Sequence, residues 1–243
     1  MDFDELKAKA LVVLPAGGKG TRLIELTHDQ HHKSAHPANG KALIQYIIEM
    51  YVSAGFKRFL VLVGHHRESI DGLLEELRKE KGVFIDDCED PFPHETDLSG
   101  KTAALYNAFT NGKIKHDDVV IIHNPDDLIL SMQNFPLIVL ANYVQLSKEV
   151  CVVGYQNGGA LTPTMTQLMD GETAFFHFGI TLGRAPFLSR FQSYQGVPDF
   201  EKRLFSELLQ EQRLGFIKIP REVCYGVNTP EDYQRLVTRL HHG

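Results

Sequence analysis

The chain has 243 residues, 43% hydrophobic and 23% charged, with a formal net charge of −6. These are the proportions of an ordinary folded domain, and a mildly acidic chain is poorly suited to hold duplex nucleic acid by bulk charge, so an anionic ligand needs a local pocket. Cys88, Cys151 and Cys224 are too few and too scattered for a disulfide framework or a structural zinc site. No apolar run approaches the roughly 18 residues of a membrane span, and the opening MDFDELKAKA has no apolar signal core. A cytoplasmic protein outside the membrane is expected.

Ala10–Leu14 is a continuous apolar run that leads into glycines, the pattern of a buried parallel strand. Lys41–Ala54 carries Leu43, Ile44, Ile47, Ile48 and Tyr51 at helical spacing, with Gly55 as a stop. Strands are expected at Phe59–Val63, Val83–Ile85, Val119–Ile122 and Val150–Val153. Helices are expected at Ser69–Lys81, Lys101–Thr110 and Pro136–Leu146. This alternation predicts an α/β fold, a mostly parallel sheet with helices on both faces. Beyond about residue 155 the pattern loosens. Gly158–Thr166 reads as loop, Ala174–Leu182 and Phe216–Ile219 as strands, and Phe200–Glu211 as a helix. Thr229-Pro230-Glu231-Asp232 starts a last helix, with a threonine cap, proline at the first position and acids in the first turn. One domain over residues 1–243 is expected, without repeats or linkers. The histidine pairs His31–His32, His65–His66 and His241–His242 belong on loops or termini.

The chemistry concentrates at Ala16–Leu23, AGGKGTRL. Glycines after a buried strand let backbone N–H groups approach a phosphate. The loop lacks both the GxxxxGK[ST] of a P-loop and the third glycine of GxGxxG. Lys19, Thr21 and Arg22 remain, a set that suits a polyphosphate, since a guanidinium fork grips two phosphate oxygens. Further on, Val119–Ile122 delivers His123-Asn124-Pro125-Asp126-Asp127 to the carboxyl end of its strand, where ligands gather in parallel sheets. Carboxylates there suit Mg²⁺, and the same residues also suit a turn or cap.

Pro15–Leu23, followed by Lys33, Pro37 and Asn39-Gly40-Lys41-Ala42-Leu43-Ile44, resembles the signature of the sugar-1-phosphate nucleotidyltransferases. That family has a Rossmann-like three-layer α/β/α architecture, the glycosyltransferase-A-like nucleotidyltransferase fold. The resemblance implies a nucleotide-binding half over residues 1–125 and an acceptor-binding half over 126–243. It implies that Ala16, Gly17, Gly18, Lys19, Gly20 and Thr21 bind a nucleoside triphosphate, with Arg22 on the departing β- and γ-phosphates and Lys33 on the α-phosphate. Asp126, with Asp127 as a substitute, and Asn228 of Gly226–Asp232 match the family's Mg²⁺ ligands. Gly100 and Thr102 match a nucleotide-contacting segment and equally suit a helix start. His177 and Gly179 match a sugar-contacting strand, and His177 equally suits the core.

The implied reaction is attack of a sugar 1-phosphate on the α-phosphorus, releasing pyrophosphate. The family's Glu-Lys-Pro acceptor segment has no counterpart near residues 155–172. An unusual sugar phosphate, a cytidylyl-type transfer to another phosphorylated alcohol such as phosphocholine, and a non-catalytic nucleotide-sugar sensor therefore stay open. So does a hydrolase using His123 as base.

Overall fold

The structure is a computed structural model that describes residues 3–89, 100–156, 167–170, 173–194 and 196–242. In chain order its helices are α1 (Phe3–Ala8), α2 (Ile24–Thr27), α3 (Leu43–Ser53), α4 (Arg67–Lys81), α5 (Lys101–Thr110), α6 (Phe135–Leu146), α7 (Glu201–Gln210) and α8 (Pro230–His242). Its strands are β1 (Ala10–Ala16), β2 (Pro37–Ala38), β3 (Lys41–Ala42), β4 (Arg58–Val63), β5 (Phe84–Glu89) and β6 (Val119–His123). These are followed by β7 (Asp127–Ile129), β8 (Val150–Gln156), β9 (Gln167–Asp170), β10 (Thr173–Arg184), β11 (Leu214–Lys218) and β12 (Cys224–Gly226).

The central sheet runs β11-β8-β10-β6-β1-β4-β5, with β9 paired to β10. β5, β4, β1 and β6 are mutually parallel, as are β8 and β11. β10 is antiparallel to β6, β8 and β9, and forms the seam between the two parallel groups. The apolar runs are continuous because these strands are covered on both faces. On β1, alternate residues face opposite layers. Val12 and Leu14 pack with Ile44 and Ile48 of α3, Leu74 of α4 and Leu140 of α6. Leu11 and Val13 join Leu105 of α5, Phe187 and Phe191 of the 3₁₀ turns at Ala185–Ser193, and Phe205 of α7. The expected three-layer α/β/α architecture with a mostly parallel sheet is what the chain adopts.

Two expectations change. Lys41 does not open the helix: Asn39 (φ 51°) and Gly40 (φ 77°) turn β2 back onto β3, and α3 starts at Leu43. Two successive positive φ angles make a hairpin turn of the kind Asn-Gly favours. The segment after β6 is more than a turn, because Asp127–Ile129 pairs antiparallel with Cys224–Gly226. The loop expected at Gly158–Thr166, and most of the region where an acceptor segment was sought, lie outside the described residues. Among those described, no helix is long and apolar enough to cross a membrane.

Candidate active site

A cleft of about 690 Å³ opens where β1, β4 and β6 end and the β7–β12 ribbon crosses them. It is lined by Gly17, Gly18, Lys19, Arg22, Lys33, Gly100, Asp126, His177, Gly179 and Asn228 from among the expected residues. Ala16 is fully buried, Gly20 half-buried and Thr21 exposed, all outside that lining. Thr102 is buried in the first turn of α5, also outside it.

β1 delivers the glycine loop. Gly17 abuts the Val63–Gly64 backbone, while Gly18 has open space on its cleft side. Lys19 and Arg22 stand exposed, without a salt-bridge partner among the described residues. Opposite them, Lys33 Nζ lies 2.5 Å from Asp126 Oδ2. Burial alone would raise the Asp126 carboxyl, but the charge and hydrogen bond of Lys33, with Arg22 further off, hold it below the usual range. Asp127 goes the other way: burial first, then the Asp126 charge, pushes its carboxyl up.

The ribbon brings the two distant segments together. Val227 N–H donates to the Asp126 carbonyl at 2.8 Å, which sets Asn228 beside the aspartates. Thr229 caps α8 as expected: its Oγ1 accepts from Asp232 N–H at 3.2 Å, and Asp232 Oδ2 accepts from the N–H groups of Asn228 and Thr229. The Asp127 carboxylate fills a cradle between two glycines. A Cβ at Gly179 would lie 1.9 Å from its Oδ2, and one at Gly226 would lie 3.0 Å from its Oδ1 and 3.3 Å from the Asn228 amide nitrogen. Gly179 (φ +57°) sits in the bulge where β10 shifts register on β8, so a side chain there is barred by both conformation and space. Two carboxylates and an amide are hard oxygen donors, and that donor set fits a hard divalent cation.

His123 is not a base. It is fully buried, its Nε2–H donates to the Asp127 carbonyl at 2.7 Å and its Nδ1 accepts from Tyr51 Oη–H at 3.1 Å. Burial holds it down at about 4, neutral and with both nitrogens engaged. It supports the loop that carries the aspartates, and the hydrolase expectation loses its water-activating group.

The sequence reading missed a second charged group. Lys101 Nζ lies 2.5 Å from Glu201 Oε1 and 3.5 Å from both Asp199 Oδ1 and Asn124 Oδ1. Burial works against both charges. Even so, Glu201 and Asp199 keep Lys101 above its ordinary value, and Lys101 with His177 keeps Glu201 well below its own. His177 stands behind Glu201, its Nδ1 3.7 Å from Oε2 and its Nε2 3.1 Å from the Ile180 carbonyl. Asn124 connects the two groups by donating to Asp127 Oδ2 at 3.2 Å. One signal for this pair was legible, a lysine between Gly100 and Thr102 at a helix start. Glu201 gave none.

The Nucleotidyl transferase family profile matches residues 11–158, more than half of the chain, and the protein belongs to that family. Glucose-1-phosphate adenylyltransferase of Kocuria rhizophila is 34% identical over 122 residues, 49% of this chain and 30% of that protein. The chain spans less than a third of the length of the curated relatives it matches. A Bacillus anthracis structure assigned as a glucose-1-phosphate thymidylyltransferase superposes with a TM-score of 0.76 at 14% identity, over 96% of both chains. The inositol-1-phosphate CTP transferase of T. maritima superposes with a TM-score of 0.74 at 15% identity, over 97% of this chain and 98% of that one. At such identities the superpositions establish the shared fold.

Proposed function

We propose that the cleft transfers a nucleoside monophosphate from a triphosphate to a sugar 1-phosphate and releases pyrophosphate. One observation carries the reading: the open glycine loop, with Lys19 and Arg22 free of salt bridges among the described residues, shares a single cleft with the Lys33–Asp126 pair. A phosphate is already an anionic nucleophile, so the site needs no strong base. Its task is to align two anions and to neutralise charge at the α-phosphate. Arg22 and the loop amides hold the departing phosphates, and Lys33 reaches the α-phosphate. Asp126 and Asn228, with Asp127 beside them, would hold Mg²⁺. When bound, the ion supplies Lewis-acid neutralisation of phosphate oxygens. Gly100 at the head of α5 borders the nucleotide, and His177 and Gly179 border the acceptor.

The polar lining around Lys101 and Glu201 favours a hydroxyl-rich acceptor. A trimethylammonium group needs aromatic faces; Tyr155 is covered by the Arg221 guanidinium, 4.9 Å from its centroid, and Phe178 and Tyr225 also line the cleft, so a phosphocholine acceptor stays open. A cytidylyl-type transfer to a polyol phosphate remains compatible with the same lining. The test is pyrophosphate release with each common triphosphate, Mg²⁺ and a panel of sugar and polyol phosphates. Release that requires a second phosphorylated substrate supports transfer. Release without one means hydrolysis, and nucleotide-sugar binding without release means a sensor; either overturns the proposal.

A further inference from the structure

Six of the twelve histidines fall in two short segments, residues 28–36 and 65–66, and the fold draws these segments together. His32 N–H donates to Ser69 Oγ at 3.0 Å, and Ser69 Oγ–H donates to the His66 carbonyl at 2.7 Å. Asp29 completes the junction. Its Oδ1 lies 3.0 Å from His65 Nε2 and 2.9 Å from His66 Nε2, and the three atoms all lie within 4.8 Å of one another. Asp29 and His66 both hold left-handed backbone conformations, φ 52° and 55°.

The hydrogen positions carry the argument. His66 Nδ1 lies 3.1 Å from Glu68 Oε1 and its Nε2 2.9 Å from Asp29 Oδ1, both acceptors, and the neutral ring with its one proton on Nδ1 satisfies only the first. In a neutral imidazole His66 Nε2 then presents a lone pair, aimed at a carboxylate oxygen 2.9 Å away. Two lone pairs at that distance need a cation between them, either a second proton or a metal ion. A carboxylate behind the far nitrogen of a histidine is also the usual support of a metal-binding imidazole. Metal–ligand bonds of about 2.0–2.1 Å at tetrahedral angles separate ligand atoms by roughly 3.4 Å. The two separations from Asp29 need to open by only about half an ångström, and the two Nε2 atoms lie within 4.8 Å of one another, adjustments that partly exposed side chains allow.

We propose that Asp29, His65 and His66 bind one divalent transition-metal ion of the Zn²⁺, Co²⁺ or Ni²⁺ type through Oδ1 and two Nε2 atoms. Two imidazoles and one carboxylate select such ions, whereas the all-oxygen set at Asp126, Asp127 and Asn228 suits Mg²⁺. The two sites therefore sort ions by donor type. Binding displaces the protons that His65 Nε2 and His66 Nε2 hold towards Asp29 Oδ1; each ring keeps one proton on Nδ1, any surplus proton leaves to solvent, and water fills the remaining position. His65 lines the cleft and its backbone N–H donates to the Gly17 carbonyl at 3.2 Å, so the ion would sit on the rim beside the glycine loop.

The test is calorimetric titration of the full chain with Zn²⁺ alone, in millimolar Mg²⁺, with no nucleotide present. It is independent of whether the protein transfers nucleotides. One site per chain is expected, weakened about 10-fold or more in Glu68→Gln and lost in the double variant Asp29→Asn, His66→Gln. His241→Gln with His242→Gln should leave it intact. Absence of a saturable site, or a site that survives the double variant, overturns the proposal. If the double variant does not fold, imidazole ¹⁵N spectra of the wild type decide: Zn²⁺-induced shifts at His65 and His66 support the site, and shifts confined to other histidines refute it.

Discussion

Two lysine–carboxylate pairs line the same cleft at the same 2.5 Å separation, and they are built differently. Lys33 and Asp126 come from a 3₁₀ turn and from the loop after β6, and Asp126 also feels Arg22. Lys101 and Glu201 come from the first residues of α5 and α7, with His177 of β10 packed behind. The first pair sits on elements that can yield to a phosphate or a metal ion. The second is anchored between two helices whose apolar faces share one core layer. On the proposed function, similar geometry would serve exchange in one place and support in the other, and the difference would be set by the elements that bear the charges.

The comparison can be broken most sharply at Lys101. Removing one partner of a buried pair leaves the other charge stranded, at a cost of about 3–5 kcal/mol. Lys101→Met should therefore lower the urea midpoint by that equivalent, and the double change Lys101→Met, Glu201→Leu should recover most of it. A single variant as stable as the parent would end the claim that this pair is scaffold. Lys33→Met is the counterpart. It should reduce pyrophosphate release on the order of 10²–10³-fold, as loss of one electrostatic donor does; its midpoint cost, from an Asp126 as buried as Glu201, should be relieved by added Mg²⁺, whereas that of Lys101→Met should not. Unaltered turnover would remove Lys33 from the reaction.

Acid stability sharpens the picture further. His32 and His123 are held neutral by burial, each down at about 4 from 6.5, with the Lys33 charge adding to the effect on His32. Below pH 6.5 the unfolded chain binds protons that the folded chain refuses, so stability falls as pH drops from 6.5 towards 4. One pH unit into that window the two groups together should cost about 2–3 kcal/mol. Glu201, depressed in the fold, contributes stability above its unfolded value near 4.5 and begins to lose it only below that. Asp127, pushed up to about 7 in the fold, takes up a proton over the same window and offsets part of that loss; in Asp127→Asn, where the offset is gone, a urea midpoint that stays flat between pH 7 and pH 5.5 would contradict the burial of both histidines. The smallest effect is expected at Thr229. Replacing this cap by alanine should cost about 1 kcal/mol, visible as a small drop in Tm. A loss several times larger would mean that the cap also holds the ribbon.

The parallel strands were readable because burial on both faces leaves an uninterrupted apolar run, as in ALVVL and VVII. The glycine loop was readable for the same reason, since a buried strand must be followed by something. Features that depend on partners far along the chain were not. Asp127–Ile129 is three residues long and has no period to detect, so it reads as a turn until Cys224–Gly226 is set against it. Asn39-Gly40 is by itself a hairpin signal, but it stands directly before the helical spacing of Lys41–Ala54, which hides the short β3. Lys101 and Glu201 lie a hundred residues apart, and neither alone distinguishes a cleft residue from a solvated helix end. Asp126 is marked by its place at the end of an apolar strand and Asn228 only by the resemblance, and their proximity depends on the ribbon.

That ribbon has a thermodynamic consequence. Three residue pairs between β7 and β12, with the Val227–Asp126 bond beside them, close a chain loop of about a hundred residues. Loop closure of that length is entropically costly, and so short a pairing is easily opened. An ion gripping Asp126 and Asn228 would cross-link the same two segments, and would bind the closed chain in preference to the open one. Millimolar metal should then slow amide exchange throughout β12 and the first turn of α8, well beyond the residues that touch it.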